Sequence, residues 1–257
     1  MAAITLISDF GLKDHYVSSI KGALLRAMPE LPLVDISHEI DKYDISSAAF
    51  LLRAVYSQYP NNTVHIIGVG SEYNATQGYV VVYHHNQYFI GANNGIFSLL
   101  FDETPERVVA VPVNTDDNLS FVARDIFVPI AVRLVKGEEL STIGQEGLQL
   151  IQRLPFRAAS SGDLIKGTII YIDSYENAIT NIDKHLFDST VQNKPFIIDL
   201  ARGNQIDKIS RDYSDVPEGE ILAMFNSEGK LEIALRNGTL SSLLQLKLND
   251  QINIHLL

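Results

Sequence analysis

The chain contains no cysteine. That absence excludes disulfides, thiolate nucleophiles and cysteine-type zinc sites. Positive charge is scarce: 20 Lys and Arg stand against 31 Asp and Glu, for a formal net charge of −11. Nucleic acid and anionic membrane surfaces both require basic patches, and no Lys/Arg cluster supplies one. No stretch approaches the roughly 20 apolar residues needed to span a bilayer. The N-terminus lacks a basic n-region, and Asp9 interrupts its one apolar run, so no signal peptide is read there. The expectation is a cytoplasmic protein. Catalytic signatures are also missing. None of the seven histidines forms an HExxH motif or an i, i+4 helical pair, and no serine sits in a Gly-x-Ser-x-Gly elbow. No metal site is expected.

What is present is a 257-residue chain, 46% hydrophobic, long enough for one large or two modest domains. Its opening run, Ile4 to Ile7, ends abruptly in Ser8-Asp9-Phe10-Gly11. In an open α/β sheet, ligands sit at the carboxyl ends of strands. A carboxylate there can accept hydrogen bonds from two adjacent sugar hydroxyls, and Gly11 lets the chain turn close by. Asp9 and Asp14 read either in this way or as plain turn and N-cap residues.

Periodicity organises the rest. Val17, Ile20, Leu24, Leu25 and Met28 recur at helical spacing until Pro29 and Pro32. Leu33–Ile36 is a second strand, Asp44 a helix N-cap, and Val64–Val69 a third strand. This βαβαβ order predicts a parallel sheet. Tyr79–Tyr83 and Gln87–Ile90 flank His84-His85-Asn86 as a hairpin, with the two histidines on opposite sides if extended. Arg107–Val113 is another strand, and Asp125 opens a helix running to Lys136. Gly68-Val69-Gly70-Ser71 resembles a phosphate loop, but its sixth position is Tyr73 rather than glycine, so a tight turn is the stronger reading. A boundary is placed in the small, polar 158–162 stretch. Beyond it, about five short strands and a helix near Leu240–Leu246 fit a small barrel or sandwich. Asp173-Ser174-Tyr175-Glu176-Asn177, just after a strand, reads alone as an Asx-type turn.

Taken in order, several segments resemble the SAM hydroxide adenosyltransferase (SAM hydrolase) family, which is related to the fluorinases and chlorinases. Ser8-Asp9-Phe10-Gly11 with Asp14 and Lys21-Gly22 matches its opening. Asp35-Ile36-Ser37-His38-Glu39-Ile40 and Tyr43-Asp44-Ile45 follow. Gly91-Ala92-Asn93-Asn94-Gly95 is similar to its Gly-Pro-Asp-Asn-Gly turn, and Ser120 to Pro129 to its Phe-His-Gly-Arg-Asp-x-Phe-x-Pro segment. Asp173, Asn177, Asn226-Ser227 and Gly229 match the C-terminal motifs.

The resemblance implies the α/β fold class: an N-terminal Rossmann-like α/β domain over residues 1–158 and a small C-terminal β-barrel domain over 163–257. It implies a homotrimer, with SAM as substrate or ligand between subunits and no further cofactor. By position, Asp9 would hold the ribose hydroxyls and Tyr43 would pack near the sugar. Asp14, Asp173 and Ser227 would hold the methionine end, and Asn177 and Tyr213 would contact adenine. The family reaction is displacement at ribose C5′ by water, giving adenosine and methionine. The hydrolases surround that water with Asp, Arg and His. Here those positions carry Ile66, Tyr73 and Val122, so no catalytic residue is assigned. The halogenases place Tyr where Ile66 stands, and Glu228 follows Ser227 where the fluorinase has Arg. Two functions stand: a SAM hydrolase with a different way of handling water, or a non-catalytic protein that binds SAM or adenosine.

Overall fold

In the computed structural model, which describes residues 2–72, 74–114 and 119–257, the N-terminal run is an interior strand of a seven-stranded sheet. Strand β1 (Ile4–Ser8) is buried at every residue. It pairs in parallel with β2 (Leu33–Ser37) on one side and β3 (Val64–Gly68) on the other. Helices α1 (Tyr16–Ala27) and α2 (Ile45–Tyr56) make the two crossovers. α1 stops at Met28 because the residue before Pro29 is disfavoured in the helical region. α2 starts at Asp44, whose carboxylate accepts from Ser46 N and Ser47 N.

The sheet continues through the hairpin β4 (Tyr79–His84) and β5 (Gln87–Ala92), with β5 parallel to β3. His85 and Asn86 both have positive φ, 49° and 60°, as a two-residue turn of matching twist requires. The two histidines therefore do not face opposite ways: His85 belongs to the turn, and its ring stacks on His84 with centroids 3.9 Å apart. After α3 (Ile96–Leu100) come β6 (Arg107–Val111), then α4 (Val128–Val135) and β7 (Gln145–Glu146). The sheet order is β2-β1-β3-β5-β4-β6-β7. Asp125 does not open the α4 helix as expected. Helical turns begin at Leu119, Asp125 lies inside a π-turn over Ala123–Phe127, and its carboxylate pairs with Arg124.

Side chains alternate between the two faces of the sheet. Leu6 and Ile66 join Ile20, Leu24, Val122, Phe127 and Ala131 in one apolar cluster. Ile7 and Ile67 join Ala48, Leu52, Phe97 and Leu100 in another. Each fully buried Leu or Ile contributes roughly 1.5–3 kcal/mol.

The chain divides into two compact units, Met1–Leu154 and Pro155–Leu257. In the second, Ala159–Ser161 is not a free connection. It forms β8, paired with β9 (Leu164–Ile172). β10 (Ala178–Asp183), α5 (Lys184–Val191), β11 (Phe196–Asp199), β12 (Gln205–Ile206), β13 (Ile221–Phe225), β14 (Lys230–Leu235), α6 (Leu240–Leu244) and β15 (Gln251–Leu256) follow. The path β12-β11-β15-β9-β10-β14-β13 curls until an isolated bridge, Ser210 to Met224, joins the segment after β12 to β13. The result is barrel-like, and its core includes Ile165, Ile182, Ile198, Ile233 and Ile254. Strand β10 and helix α5 were not read from sequence; Asp183 caps α5 by accepting from Leu186 N. Among the described residues, no helix is long and apolar enough to cross a membrane.

His65, at the centre of β3, is fully buried. Its Nδ1 lies 2.7 Å from Thr5 Oγ1 and its Nε2 2.9 Å from Gln87 Oε1. Gln87 in turn donates to the Tyr56 and Tyr59 carbonyls at the end of α2. Burial, partly offset by the Gln87 bond, pushes the imidazole from 6.5 down to about 4. Between those values the unfolded chain binds the proton that the folded chain refuses. Stability is therefore full above pH 6.5 and falls as pH drops toward 4, by on the order of 3 kcal/mol. Urea unfolding across that window should show the loss in the wild type, and His65→Gln should flatten it. An equally steep fall in the variant would assign the acid sensitivity to another group.

Candidate functional site

The order β2-β1-β3, with α1 and α2 on opposite faces, makes a topological switch at the carboxyl ends of β1 and β3, where ligands of open α/β sheets bind. Asp9 stands there, only 6% exposed. Its Oδ2 accepts from Tyr43 N at 2.9 Å and from Gly70 N at 3.2 Å. Lys42 Nζ donates to the Asp9 carbonyl. Among the described residues Oδ1 accepts nothing, so half the carboxylate is held and half is available. The turn beyond Asp9 needs Gly11, whose φ is +69°. The stretch 68–71 is a tight turn: Gly70 has φ +53°, and Asn94 Nδ2 bonds the Val69 and Gly70 carbonyls. In the Gly91–Gly95 turn Asn93 is equally committed, to Gln149 O and Ile151 N.

Tyr43 has φ +66°, a conformation that costs a non-glycine residue about 1–3 kcal/mol. Its ring is 61% exposed, and its hydroxyl donates to Glu72 Oε1 at 2.9 Å. That bond raises the phenol above its ordinary value. Phe10, Tyr16 and Phe121 form an aromatic cluster beside Asp9, with centroids 5.2–5.8 Å apart. Asp14 is exposed and does not cap α1, whose N-cap position is His15.

Ile66 and Val122 lie in the same apolar cluster, 2% and 4% exposed. Ile66 pairs with Leu6, two residues before Ser8 on the same sheet face. Tyr73 lies outside the described residues.

In the second unit, Asp173 and Asn177 close the turn between β9 and β10. Asp173 Oδ1 accepts from Tyr175 N and Asn177 N, and Oδ2 from Asn177 Nδ2 at 3.1 Å. Tyr213 donates to Glu232 Oε1 at 2.5 Å. Burial and that bond push the phenol up, and the nearby Asp173 carboxylate adds to the shift. Asp173, Asn177 and Tyr213 are thus brought to one region. Ser227 is not. It sits in the Asn226–Gly229 turn, where Gly229 O accepts from Lys184 N at the far end of β10.

Sequence reasoning missed Lys42, Ser8 and Glu232 as members of these constellations. His38 lay inside a quoted segment, but only the fold brings it to Ser8, at 2.6 Å.

Family models describing the SAM hydroxide adenosyltransferase N-terminal and C-terminal domains match residues 4–144 and 167–253. A curated (R)-S-adenosyl-L-methionine hydrolase from Thermus thermophilus is 28% identical over 260 residues, covering 96% of this chain and 97% of the relative. One of the same description from Methanocaldococcus jannaschii is 27% identical over 266 residues, covering 98% and 95%. A crystal structure of an uncharacterized conserved protein from Thermotoga maritima superposes with a TM-score of 0.89 at 26% identity, covering 98% of this chain and 99% of that one.

The left-handed Tyr43 turn has a direct thermodynamic consequence. Tyr43→Gly should stabilise the fold by about 1 kcal/mol in urea unfolding, because relief of strain exceeds the entropic cost of glycine. A loss of stability would show that the exposed ring is held for its packing.

Proposed function

The chain belongs to the SAM hydroxide adenosyltransferase family, and from that premise we propose that it binds SAM or adenosine through Asp9 with the hydrolytic step suppressed. The family reaction is SAM and water to adenosine and methionine. The observation that carries the reading is a contrast within the N-terminal unit: a preorganised carboxylate at Asp9, but buried apolar Ile66 and Val122 where the family pattern has Asp and His.

Asp9 presents its free oxygen to the ribose hydroxyls, and the strained Tyr43 holds its ring near the sugar. Asp14 and Asp173 take the methionine end, with Ser227 as the weakest member because of its distance along β10. Asn177 and Tyr213 take adenine. These groups come from both units, which agrees with a homotrimer whose sites lie between subunits. A cytoplasmic location, where SAM is made and used, fits this reading.

Attack at C5′ forms a carbon–oxygen bond as the carbon–sulfur bond breaks, with its electron pair leaving on the methionine sulfur. The leaving group is neutral and good, so the protein must align and desolvate the nucleophile. In the hydrolase pattern that falls to Asp, Arg and His. With Ile66, Tyr73 and Val122 in those places, the water lacks a charged orienter and a base. Loss of general-base help alone costs about 10²- to 10⁴-fold. Turnover through a rebuilt water site has one observation in its favour. Glu72, bonded to Tyr43 on the Gly70 loop, is a carboxylate that a ligand could free for acid–base work.

Chromatography of purified protein with each sulfonium epimer of SAM separates these readings, because the relatives are named for the (R) form. The expected result is adenosine at the no-protein level with SAM or adenosine still bound. Asp9→Ala should weaken adenosine binding tenfold or more, the loss of a charge-assisted hydrogen bond. The combined Ile66→Asp, Tyr73→Arg and Val122→His variant, if it folds and binds SAM, should release adenosine. Wild-type release abolished by Glu72→Gln would overturn suppression in favour of the rebuilt site. Absence of any adenosyl binding would sink both readings.

A further inference from the structure

Behind Asp9 runs a chain of polar contacts that ligand binding does not use directly. Ser8 Oγ lies 2.6 Å from His38 Nδ1. His38 Nε2 is buried and lies 3.2 Å from Asp35 Oδ1, close enough for charge attraction, though no hydrogen bond of good geometry reaches it. Asp35 Oδ2 accepts from Lys21 Nζ at 2.5 Å. Ser8 and His38 are buried, whereas the Asp35 and Lys21 side chains reach solvent. Burial raises the Asp35 carboxyl, but Lys21 and His38 outweigh it and hold it below its ordinary value.

The chain has a direction. An ionised carboxylate only accepts, so the imidazole proton that faces Asp35 sits on Nε2. Nδ1 is then an acceptor, and the Ser8 hydroxyl must donate to it. That leaves the lone pairs of Ser8 Oγ for the Phe10 N–H, 3.4 Å away. Phe10 directly follows Asp9. The His38 carbonyl meanwhile accepts from Gly11 N at 2.8 Å. One histidine therefore holds the Asp9–Gly11 turn twice, through Ser8 and through its own main chain. In the other tautomer Nδ1–H would donate to Ser8. The Ser8 hydrogen would then turn away from His38, and the imidazole and the Phe10 N–H would each take one of the two Ser8 Oγ lone pairs, so the hydroxyl would no longer be polarised by donating to His38 and would hold the Phe10 N–H less strongly.

We propose that Lys21, Asp35, His38 and Ser8 form a polar relay that sets the tautomer of His38, and that His38 is a positioning residue for the Asp9 carboxylate. The consequence for affinity rests on the reading of Asp9 as the ribose ligand. An exposed ion pair such as Lys21–Asp35 ordinarily contributes little. Here it acts on a buried choice between two proton positions, at the end of the strand that carries the site.

The test is a nitrogen-15 spectrum of the histidine rings in the ligand-free protein, with adenosine affinities measured alongside. His38 should show an unprotonated Nδ1 and a protonated Nε2. Asp35→Ala should shift the ring toward the other tautomer and weaken adenosine binding about tenfold, the scale of one such hydrogen bond. Ser8→Ala should weaken binding similarly, and Ser8→Thr, which keeps the hydroxyl, should restore it. Thermal melting confirms that each variant is folded. A protonated Nδ1 in the wild type overturns the relay. So does an Asp35→Ala protein with unchanged tautomer and affinity. Asp9→Ala, measured in parallel, separates the two ideas: unchanged adenosine affinity there removes the ribose reading, while the ring spectrum still decides the relay.

Discussion

The N-terminal unit depends on one carboxylate accepting two backbone N–H groups from distant parts of the chain. Asp9 directly follows β1, Tyr43 precedes α2, and Gly70 follows β3. The bonds reach across the junction where the two crossovers part to opposite faces of the sheet. A neutral side chain would leave two buried donors poorly served, at a cost of about 1–3 kcal/mol each. Its Oδ2 ties the three segments together, and its Oδ1 accepts no hydrogen bond among the described residues. The strain at Tyr43 is tolerated because its N–H is needed there, and the exposed ring is carried along with it.

Much of this architecture was legible in the sequence. β1 and β3 read from short apolar runs because two-sided burial leaves a strong apolar signal, β2, a partly buried edge strand, from a shorter one, and the helices between them from spacing. Asp44 announced α2 through its cap chemistry. The places where reading failed share a cause. β10 and α5 lie in Ala178–Val191, where Asn181, Asp183, Lys184 and Asp188 break the periodicity and long-range pairing decides the structure. Asp125 looked like a cap, yet the Arg124 pair and the π-turn absorbed it. The site was half legible. Asp9 stood out by its abrupt position at a strand end. Ser8, Lys42 and Glu232 did not, because their partners lie 19 to 33 residues away.

The replacement of charged by apolar side chains at Ile66 and Val122 is also physically coherent. Both sit inside a cluster that already holds Leu6, Phe127 and Ala131. A carboxylate and an imidazole inserted there would need each other, or a ligand, to offset their desolvation. Ile and Val remove that requirement and share one buried apolar cluster with the residues of α4.

Strand β1 also precedes its partners along the chain. Its parallel partner β3 and the Gly70 donor emerge much later, with 61 positions separating Asp9 from Gly70. Until then β1 is an apolar strand whose β3-facing edge is unpaired even when β2 is in place, the kind of segment that recruits other chains. Vectorial synthesis therefore leaves this apolar strand open to association until β3 is available. The same strand becomes one of the protein's best-shielded parts once residue 70 has arrived.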